Sequence, residues 1–140
     1  MPVAPSWPLA VARAASSFRP KPHSVLARAN RLTDSEQFRS AIKSGRRFGS
    51  NHLVIYLKRD ETSSHARFGF IVGKTVAGAV GRNLVKRRLR ALAREVLAQH
   101  PGGFDLVVRA QTGAAELDWN RLREEFLGTT ENALSKVFER

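Results

Sequence analysis

The chain contains 140 residues, a length typical of one domain built on a single hydrophobic core. Its 24 basic and 12 acidic residues give a net charge of +12, which predicts a polyanionic partner. The absence of cysteine excludes disulfides, thiolate metal sites and cysteine nucleophiles, and no apolar run is long enough to span a membrane. Residues 101–140 contain 5 basic and 7 acidic residues, so the positive excess lies before Pro101.

The N-terminal segment has a biased composition. Residues 1–23 hold five of the six prolines in the chain, together with many Ala and Ser residues. Such a composition buries too little apolar surface to offset the entropy lost on ordering. We therefore predict a disordered tail over residues 1–23 and a single folded domain over residues 24–140.

The first predicted helix covers residues 34–44. Thr33 and Glu36 have the spacing of a capping box that would start it. Apolar residues then recur at helical spacing before a glycine stop: Phe38, Ala41, Ile42 and Gly45.

Two strands are predicted next, over residues 52–58 and 66–73. The first is rich in β-branched and aromatic residues, and its alternation places Leu53, Ile55 and Leu57 on one face. Residues 59–65 are polar and are expected to form a hairpin loop that would make the two strands antiparallel neighbours.

A strongly basic helix follows a glycine-spaced loop and should end near His100. At 100° per residue its polar residues cover about 140° of the helix surface, and an apolar face lies beside them. The polar face comprises Arg82, Asn83, Lys86, Arg87, Arg90 and Arg94.

This crowding of like charge opposes helix stability, because cations four residues apart repel one another and Arg82 opposes the helix dipole. A polyanion bound along the face would turn the repulsion into attraction. The alternative is an ordinary solvated face, which normally mixes both signs of charge.

The last third of the chain contains a strand and a helix. Residues 104–110 predict the strand, and Asp118 has the position of an N-cap for a C-terminal helix that Gly128, Thr129 and Thr130 would weaken. The predicted order is α-β-β-α-β-α, an α+β two-layer sandwich. Its strand-helix-strand unit would make two strands that are parallel neighbours or near-neighbours.

Catalytic groups are not apparent in the sequence. The four histidines (His23, His52, His65 and His100) have no helical-spaced partner, and the adjacent Glu124 and Glu125 point apart on a helix. Phe38 and Tyr56 could instead line an open sheet face and stack on unpaired bases, although Phe38 at helical spacing is also typical of a core residue.

The sequence around the basic helix resembles the signature of the bacterial ribonuclease P protein family. The matching positions are Ala79, Val80, Arg82, Asn83, Lys86, Arg87 and Arg90. Leu84 replaces an arginine of the family pattern, and Ile42 replaces an aromatic residue often found one turn after Phe38. The resemblance covers about residues 28–138 and includes Asn30, Arg31 and Leu32.

The resemblance implies a ribosomal protein S5 domain 2-like sandwich with a left-handed βαβ crossover, an exception to the usual right-handed rule. It implies that a catalytic RNA using Mg²⁺ removes the 5′ leader of precursor tRNA, and that this protein supplies no catalytic residue and binds no cofactor itself. The basic face would bind that RNA in a 1:1 complex, and Phe38, Tyr56 and Lys74 would line a cleft for the leader.

The resemblance further implies a cytoplasmic RNA-binding domain with no membrane attachment and no obligate protein partner. Two other functions are compatible with the composition. A general RNA-binding or ribosomal-type protein would share the charge pattern without affecting leader cleavage. A protein nuclease would cleave without an RNA subunit, which the lack of an acid/base or metal cluster disfavours.

Overall fold

The computed structural model describes residues 26–138, so the predicted tail over residues 1–23 lies outside the described residues. Two short 3₁₀ turns, Arg28–Asn30 and Ala114–Glu116, accompany the main elements. In chain order these are α1 (Ser35–Ser44), β1 (Arg46–Gly49), β2 (Leu53–Arg59), β3 (Arg67–Ile71), α2 (Ala79–Gln99), β4 (Phe104–Ala110) and α3 (Trp119–Phe138).

The four strands form one mixed sheet in the order β1-β2-β4-β3. The β2 strand pairs antiparallel with β1 and β4, whereas β3 pairs parallel with β4. Helices α2 and α3 pack on one face of the sheet over the main core, and α1 crosses part of the other face over a smaller cluster. The predicted mixed α+β fold and the parallel strand-helix-strand unit are therefore confirmed.

The predicted hairpin between β2 and β3 is wrong. The two strands are separated by β4, which pairs with both of them. Because β4 pairs antiparallel with β2 along all seven of its residues and parallel with β3, it occupies the edge of each strand that a hairpin would have used. The polar segment after β2 turns back against β4 instead, where the Asp60 N–H donates to the Gly103 carbonyl.

Strand β1 was not predicted. Its residues, RRFG, contain too little apolar alternation to indicate a strand, and they pair along β2 from Arg46 opposite Leu57 to Gly49 opposite Val54. The edge strand therefore depends on the partner strand beside it rather than on its own propensity.

The start of α1 lies one residue later than the Thr33 and Glu36 capping box would require. Asp34 is the N-cap and accepts a hydrogen bond from the Gln37 N–H, while the Gln37 side chain accepts from the Thr33 N–H. The side chains that cap this end are thus those of Asp34 and Gln37, and not those of Thr33 and Glu36. At the other end, a Cβ on Gly45 would overlap the Ala41 carbonyl oxygen, so the glycine is required for space.

The C-terminal helix runs without interruption through Gly128 and Thr130, contrary to the predicted weakness there. Its start is as predicted, because Asp118 accepts a hydrogen bond of 2.8 Å from the Arg121 N–H. Phe126 and Leu127, just before the glycine, are buried in the main core. Burial of this face compensates for the poor intrinsic propensity of glycine and threonine.

The segment before α1 extends the sheet beyond β3. Arg31 forms a parallel bridge with Phe68, and the Leu32 N–H donates to the Phe68 carbonyl at 2.9 Å. The buried Asn30 side chain donates to the Ala66 carbonyl at 2.8 Å. This short segment consequently places Arg31 and Leu32 at the sheet edge that faces α2.

Candidate nucleic-acid interface

The polar face of α2, predicted from the sequence, is present on the surface of the folded domain. Asn83, Arg87 and Arg94 are exposed, while the remaining cations of the face are half-buried. The apolar face is fully buried in the main core through Val85, Leu89, Leu92 and Val96. We refer to Arg82, Asn83, Lys86, Arg87, Arg90 and Arg94 as the α2 stripe.

No acidic side chain neutralises the α2 stripe within the described residues 26–138. Glu95, the one acid of α2, pairs with Arg123 of α3 at 3.0 Å, and both side chains are only 14% exposed. Burial raises the pKa of Glu95, and the hydrogen bonds from Arg123 oppose that rise. The acids of the C-terminal third therefore leave the stripe free to attract an anion.

Two arginines of α2 have structural contacts. Arg88, which lies off the stripe, donates to the Leu117 carbonyl at 2.8 Å and ties α2 to the loop before α3. Arg82 donates to the Ala77 carbonyl at 3.0 Å and so closes the loop in front of the helix. Arg82 therefore combines a position on the stripe with a contact that fixes the first turn.

A second candidate surface is the sheet face beneath α1. Phe38 and Tyr56 both pack at the small cluster that contains Leu32, Ala41 and Val107, and both remain half-buried. The Phe38 ring lies over Gly69, where an added Cβ would come within 2.7 Å of the ring Cζ. The structure thus brings the two predicted rings to one region, each part core and part surface.

A cavity of about 240 Å³ connects the two surfaces. It lies at the outer edge of β3, where the side chain of Phe38 meets Lys86 and Arg90 of the stripe. Arg31 adds a third cation to its wall, from the segment that extends the sheet. The cations of α2 and the ring of α1 consequently belong to one continuous surface with no acidic residue in the cavity lining.

Lys74 does not join this cavity. It is exposed in the loop after β3, and its side chain has no partner among the described residues. Ile42, which stands where the family pattern often has an aromatic residue, is half-buried against the small cluster. Leu84 is half-buried off the stripe, so the cationic face is continuous without it.

The sheet face also carries an ion pair that is structural. Arg67 donates two hydrogen bonds of 2.8 Å to the carboxylate of Asp105, which is 3% exposed. These hydrogen bonds raise the pKa of Arg67. On the same cross-strand row, Lys58 donates to the Ser40 hydroxyl of α1 at 2.8 Å. This row closes one end of the region below α1.

A serine, a histidine and a glutamate meet between β2 and α3 without forming a catalytic chain. The Ser50 hydroxyl donates to Glu125 at 2.5 Å, and His52 Nδ1 lies 3.0 Å from the other Glu125 oxygen. A nucleophile–base–acid relay would need a serine–histidine bond with the acid behind the histidine. Here the carboxylate accepts from both, so the cluster anchors the β1–β2 turn to α3.

Burial would raise the pKa of Glu125, but the hydrogen bonds from Ser50 and His52 outweigh it and hold the pKa below its ordinary value. Across residues 26–138, no group of three or more His, Asp or Glu side chains is arranged to hold a metal ion. The helices in that part of the chain are each too short or too polar to cross a bilayer.

Sequence reasoning missed three arginines on this surface. Arg31 lines the edge cavity, and Arg47 and Arg109 lie on the sheet face that carries Tyr56. Strand alternation could have placed Arg109 on the same face as Val107. Arg47 could not have been assigned to a face, because β1 itself was not recognised.

The known proteins that this chain resembles belong to one family. The family model described as Ribonuclease P matches residues 26–134. A ribonuclease P protein component of Pseudarthrobacter chlorophenolicus is 40% identical over 113 residues, covering 81% of this chain and 83% of the relative. One from a Nocardioides species is 50% identical over 93 residues, covering 65% and 80%. The solved ribonuclease P protein of Thermotoga maritima superposes with a TM-score of 0.65 at 25% identity, covering 73% of this chain and 96% of that chain.

Proposed function

Since this chain belongs to the ribonuclease P protein family, we propose that it binds two RNA partners. The α2 stripe binds the catalytic RNA of that ribonucleoprotein. The region beneath α1 binds the 5′ leader of precursor tRNA. The chain serves as the protein subunit of an endoribonuclease that removes the leader and yields the mature 5′ end. The observation that carries this proposal is the cationic face of α2, which has no acidic partner among residues 26–138 and is joined through the edge cavity to the Phe38 ring.

The stripe acts by charge and shape. Lys86, Arg87 and Arg90 present cations along one side of a helix whose other side is buried in the core. Each cation that reaches a phosphate releases condensed counterions, which supplies binding energy without reading the base sequence. Arginine also binds phosphate through two parallel hydrogen bonds, which orients the helix on the RNA.

The leader binds in the region between α1 and the sheet. Phe38 and Tyr56 offer ring surfaces on which unpaired bases stack, and Lys74 in the loop after β3 supplies a cation for the backbone. Stacking contributes roughly 1–3 kcal/mol per base and tolerates any sequence. The subunit therefore favours precursor over mature tRNA, because only the precursor carries the leader.

Hydrolysis belongs to the RNA subunit and the Mg²⁺ that it binds, while the protein contributes binding and counter-charge. The complex contains one protein per RNA, needs no further protein and works in the cytoplasm. Because lysine and arginine replace part of the cationic atmosphere of the RNA, the holoenzyme requires less Mg²⁺ than the RNA alone.

Reconstitution with the cognate catalytic RNA tests the function. At low Mg²⁺, adding the full chain should raise the rate of 5′ maturation and strengthen binding of leader-bearing tRNA relative to leaderless tRNA. An unchanged rate would assign the chain to the general RNA-binding class, and cleavage by the chain without any RNA subunit would make it a nuclease. Equal affinity for the two tRNAs would contradict the proposed leader site but would leave the proposed RNA-binding role of the α2 stripe intact.

A further inference from the structure

Two arginines on the sheet face have no assigned role. Arg47 of β1 lies directly opposite Tyr56 of β2, and Arg109 of β4 lies opposite Val54, one diagonal step from the same ring. Both side chains are exposed, and neither forms a hydrogen bond, ion pair or ring contact with another residue in the described part of the chain, 26–138. Proteins that bind single-stranded nucleic acid combine a positively charged groove with aromatic rings on which bases stack, and these residues supply both features.

Strand alternation determines the direction of both side chains. Arg46, the preceding residue, projects to the opposite face, where its guanidinium lies 5.4 Å from the centre of the Phe48 ring and donates to the Lys136 carbonyl. Val108, the residue before Arg109, is buried in the main core beneath α2 and α3. Arg47 and Arg109 must therefore project from the face that carries Tyr56.

The charge of these arginines is not compensated within the sheet. Asp105 is the one acid in the four strands, and it is held by Arg67 through two hydrogen bonds of 2.8 Å. At α1, the N-cap Asp34 and the exposed Glu36 of the first turn both lie at the Phe38 end of the helix, next to β3. The sheet face around Tyr56 is thus positive and able to attract phosphate.

We propose that Arg47 and Arg109 clamp the backbone of the leader on either side of the nucleotide that stacks on Tyr56. The two strands lie two strand spacings apart, about 10 Å, so the arginines can reach phosphates that flank one nucleotide. The leader then crosses the sheet from β4 to β1 or the reverse, perpendicular to the strands. This proposal rests on the proposed function and names the backbone contacts of its leader site.

The test compares Arg47→Gln, Arg109→Gln and the double variant in the reconstituted holoenzyme. The substrates are one precursor tRNA with a leader of several nucleotides and the same tRNA with a single-nucleotide leader. Each substitution should weaken binding of the long-leader substrate by about two- to fivefold, as expected for one exposed charge contact, and the double variant by roughly tenfold. Binding of the short-leader substrate should be unchanged.

Two matched variants control for loss of charge. Arg46→Gln removes the neighbouring cation on the opposite face, and Arg121→Gln removes an exposed cation of α3, so both should bind the two substrates as the unmodified chain does. Thermal unfolding midpoints of the Arg47 and Arg109 variants should stay close to that of the unmodified chain, because both side chains are exposed and have no bonding partner among residues 26–138.

The clamp is overturned if the double variant binds the long leader as tightly as the unmodified chain, or if it loses affinity equally for both substrates. A loss of the same size in Arg46→Gln would overturn it as well. Failure of the proposed function looks different, because the unmodified chain would then fail to stimulate maturation or to distinguish leader-bearing from leaderless tRNA.

Discussion

Gly69 lies directly beneath the ring of Phe38, and its missing side chain determines where that ring sits. A Cβ at this position would come within 2.7 Å of the Phe38 Cζ and 3.1 Å of a Leu32 methyl carbon. A strand residue next to the small cluster would otherwise carry a side chain and displace the ring from the sheet.

We expect Gly69→Ala to move the Phe38 ring and to weaken binding of leader-bearing tRNA while binding to the catalytic RNA is retained. Overpacking at such a site costs about 1–3 kcal/mol of unfolding free energy. Gly73→Ala is the matched control, since a Cβ there meets no heavy atom within 4 Å. Equal leader affinity in the two variants would show that the position of Phe38 is irrelevant to leader binding.

Glu125 connects three groups of the β1–β2 turn to α3. Its carboxylate accepts hydrogen bonds from the Ser50 hydroxyl and the His52 backbone N–H, and it contacts the His52 ring. Glu125→Gln keeps the shape but removes the charge, so we expect a loss of about 1–3 kcal/mol of unfolding free energy at neutral pH.

The pH dependence of that loss follows from the direction of the pKa shift. The folded-state pKa of Glu125 lies below its ordinary value of 4.5, so the stabilisation is complete above that value and disappears as the pH falls through the folded-state pKa. The measurement is denaturant unfolding of the unmodified chain and of Glu125→Gln at a series of pH values from neutral down through the folded-state pKa. The difference in unfolding free energy should shrink on acidification, and a difference that grows would contradict the assignment.

At the scale of elements, the two faces of α2 have different roles, one in the core and one on the surface. The apolar face packs into the main core, and the stripe on the other side carries like charges that weaken the isolated helix. The contacts of Arg88 with Leu117 and of Glu95 with Arg123 hold the helix in place without using a cation of the stripe. Tertiary packing therefore maintains a surface that local energetics disfavour.

Replacing Lys86, Arg87 and Arg90 with Ala should flatten the dependence of log affinity on log salt concentration for the catalytic RNA. If all three contact phosphate, the slope should fall by roughly 2–3 units. The measurement is equilibrium binding across a salt series. A variant with Arg121→Ala and Lys136→Ala removes exposed charge from α3 and should keep the original slope. An unchanged slope in the triple variant would mean that the stripe is an ordinary solvated face.

At the scale of the whole molecule, the net charge of +12 lowers the stability of the free protein and favours its complex with RNA. Self-repulsion destabilises a compact cationic chain, and salt screens it because the Debye length falls to about 10 Å at 0.1 M. Binding to RNA replaces that screening with direct counter-charge.

We therefore expect moderate salt to raise the thermal unfolding midpoint of the free chain while it lowers affinity for RNA. Calorimetric scans from low ionic strength up to about 0.1 M, where the Debye length is about 10 Å, would measure the first effect. The variant with Ala at Lys86, Arg87 and Arg90 should show a smaller rise, because part of the repulsion is removed. A midpoint that falls with salt in the unmodified chain would contradict this account.

The sequence by itself determined the elements whose pattern is local. The 3.6-residue period of α2 separated a buried face from a cationic one, and β4 was predicted over the residues that form it. The family signature lies within α2 and its loop, so the family and its function could also be recognised before the structure was known.

Only the tertiary structure decided which distant segments meet. Strand pairing joins residues far apart in the chain, so the insertion of β4 between β2 and β3 and the existence of β1 could not be read from local propensity. The meeting of Phe38 with Lys86 and Arg90, and the placing of Arg47 and Arg109 around Tyr56, follow from that pairing. A periodic pattern specifies which face of an element is buried, whereas the neighbours of the exposed face depend on the packing of the whole chain.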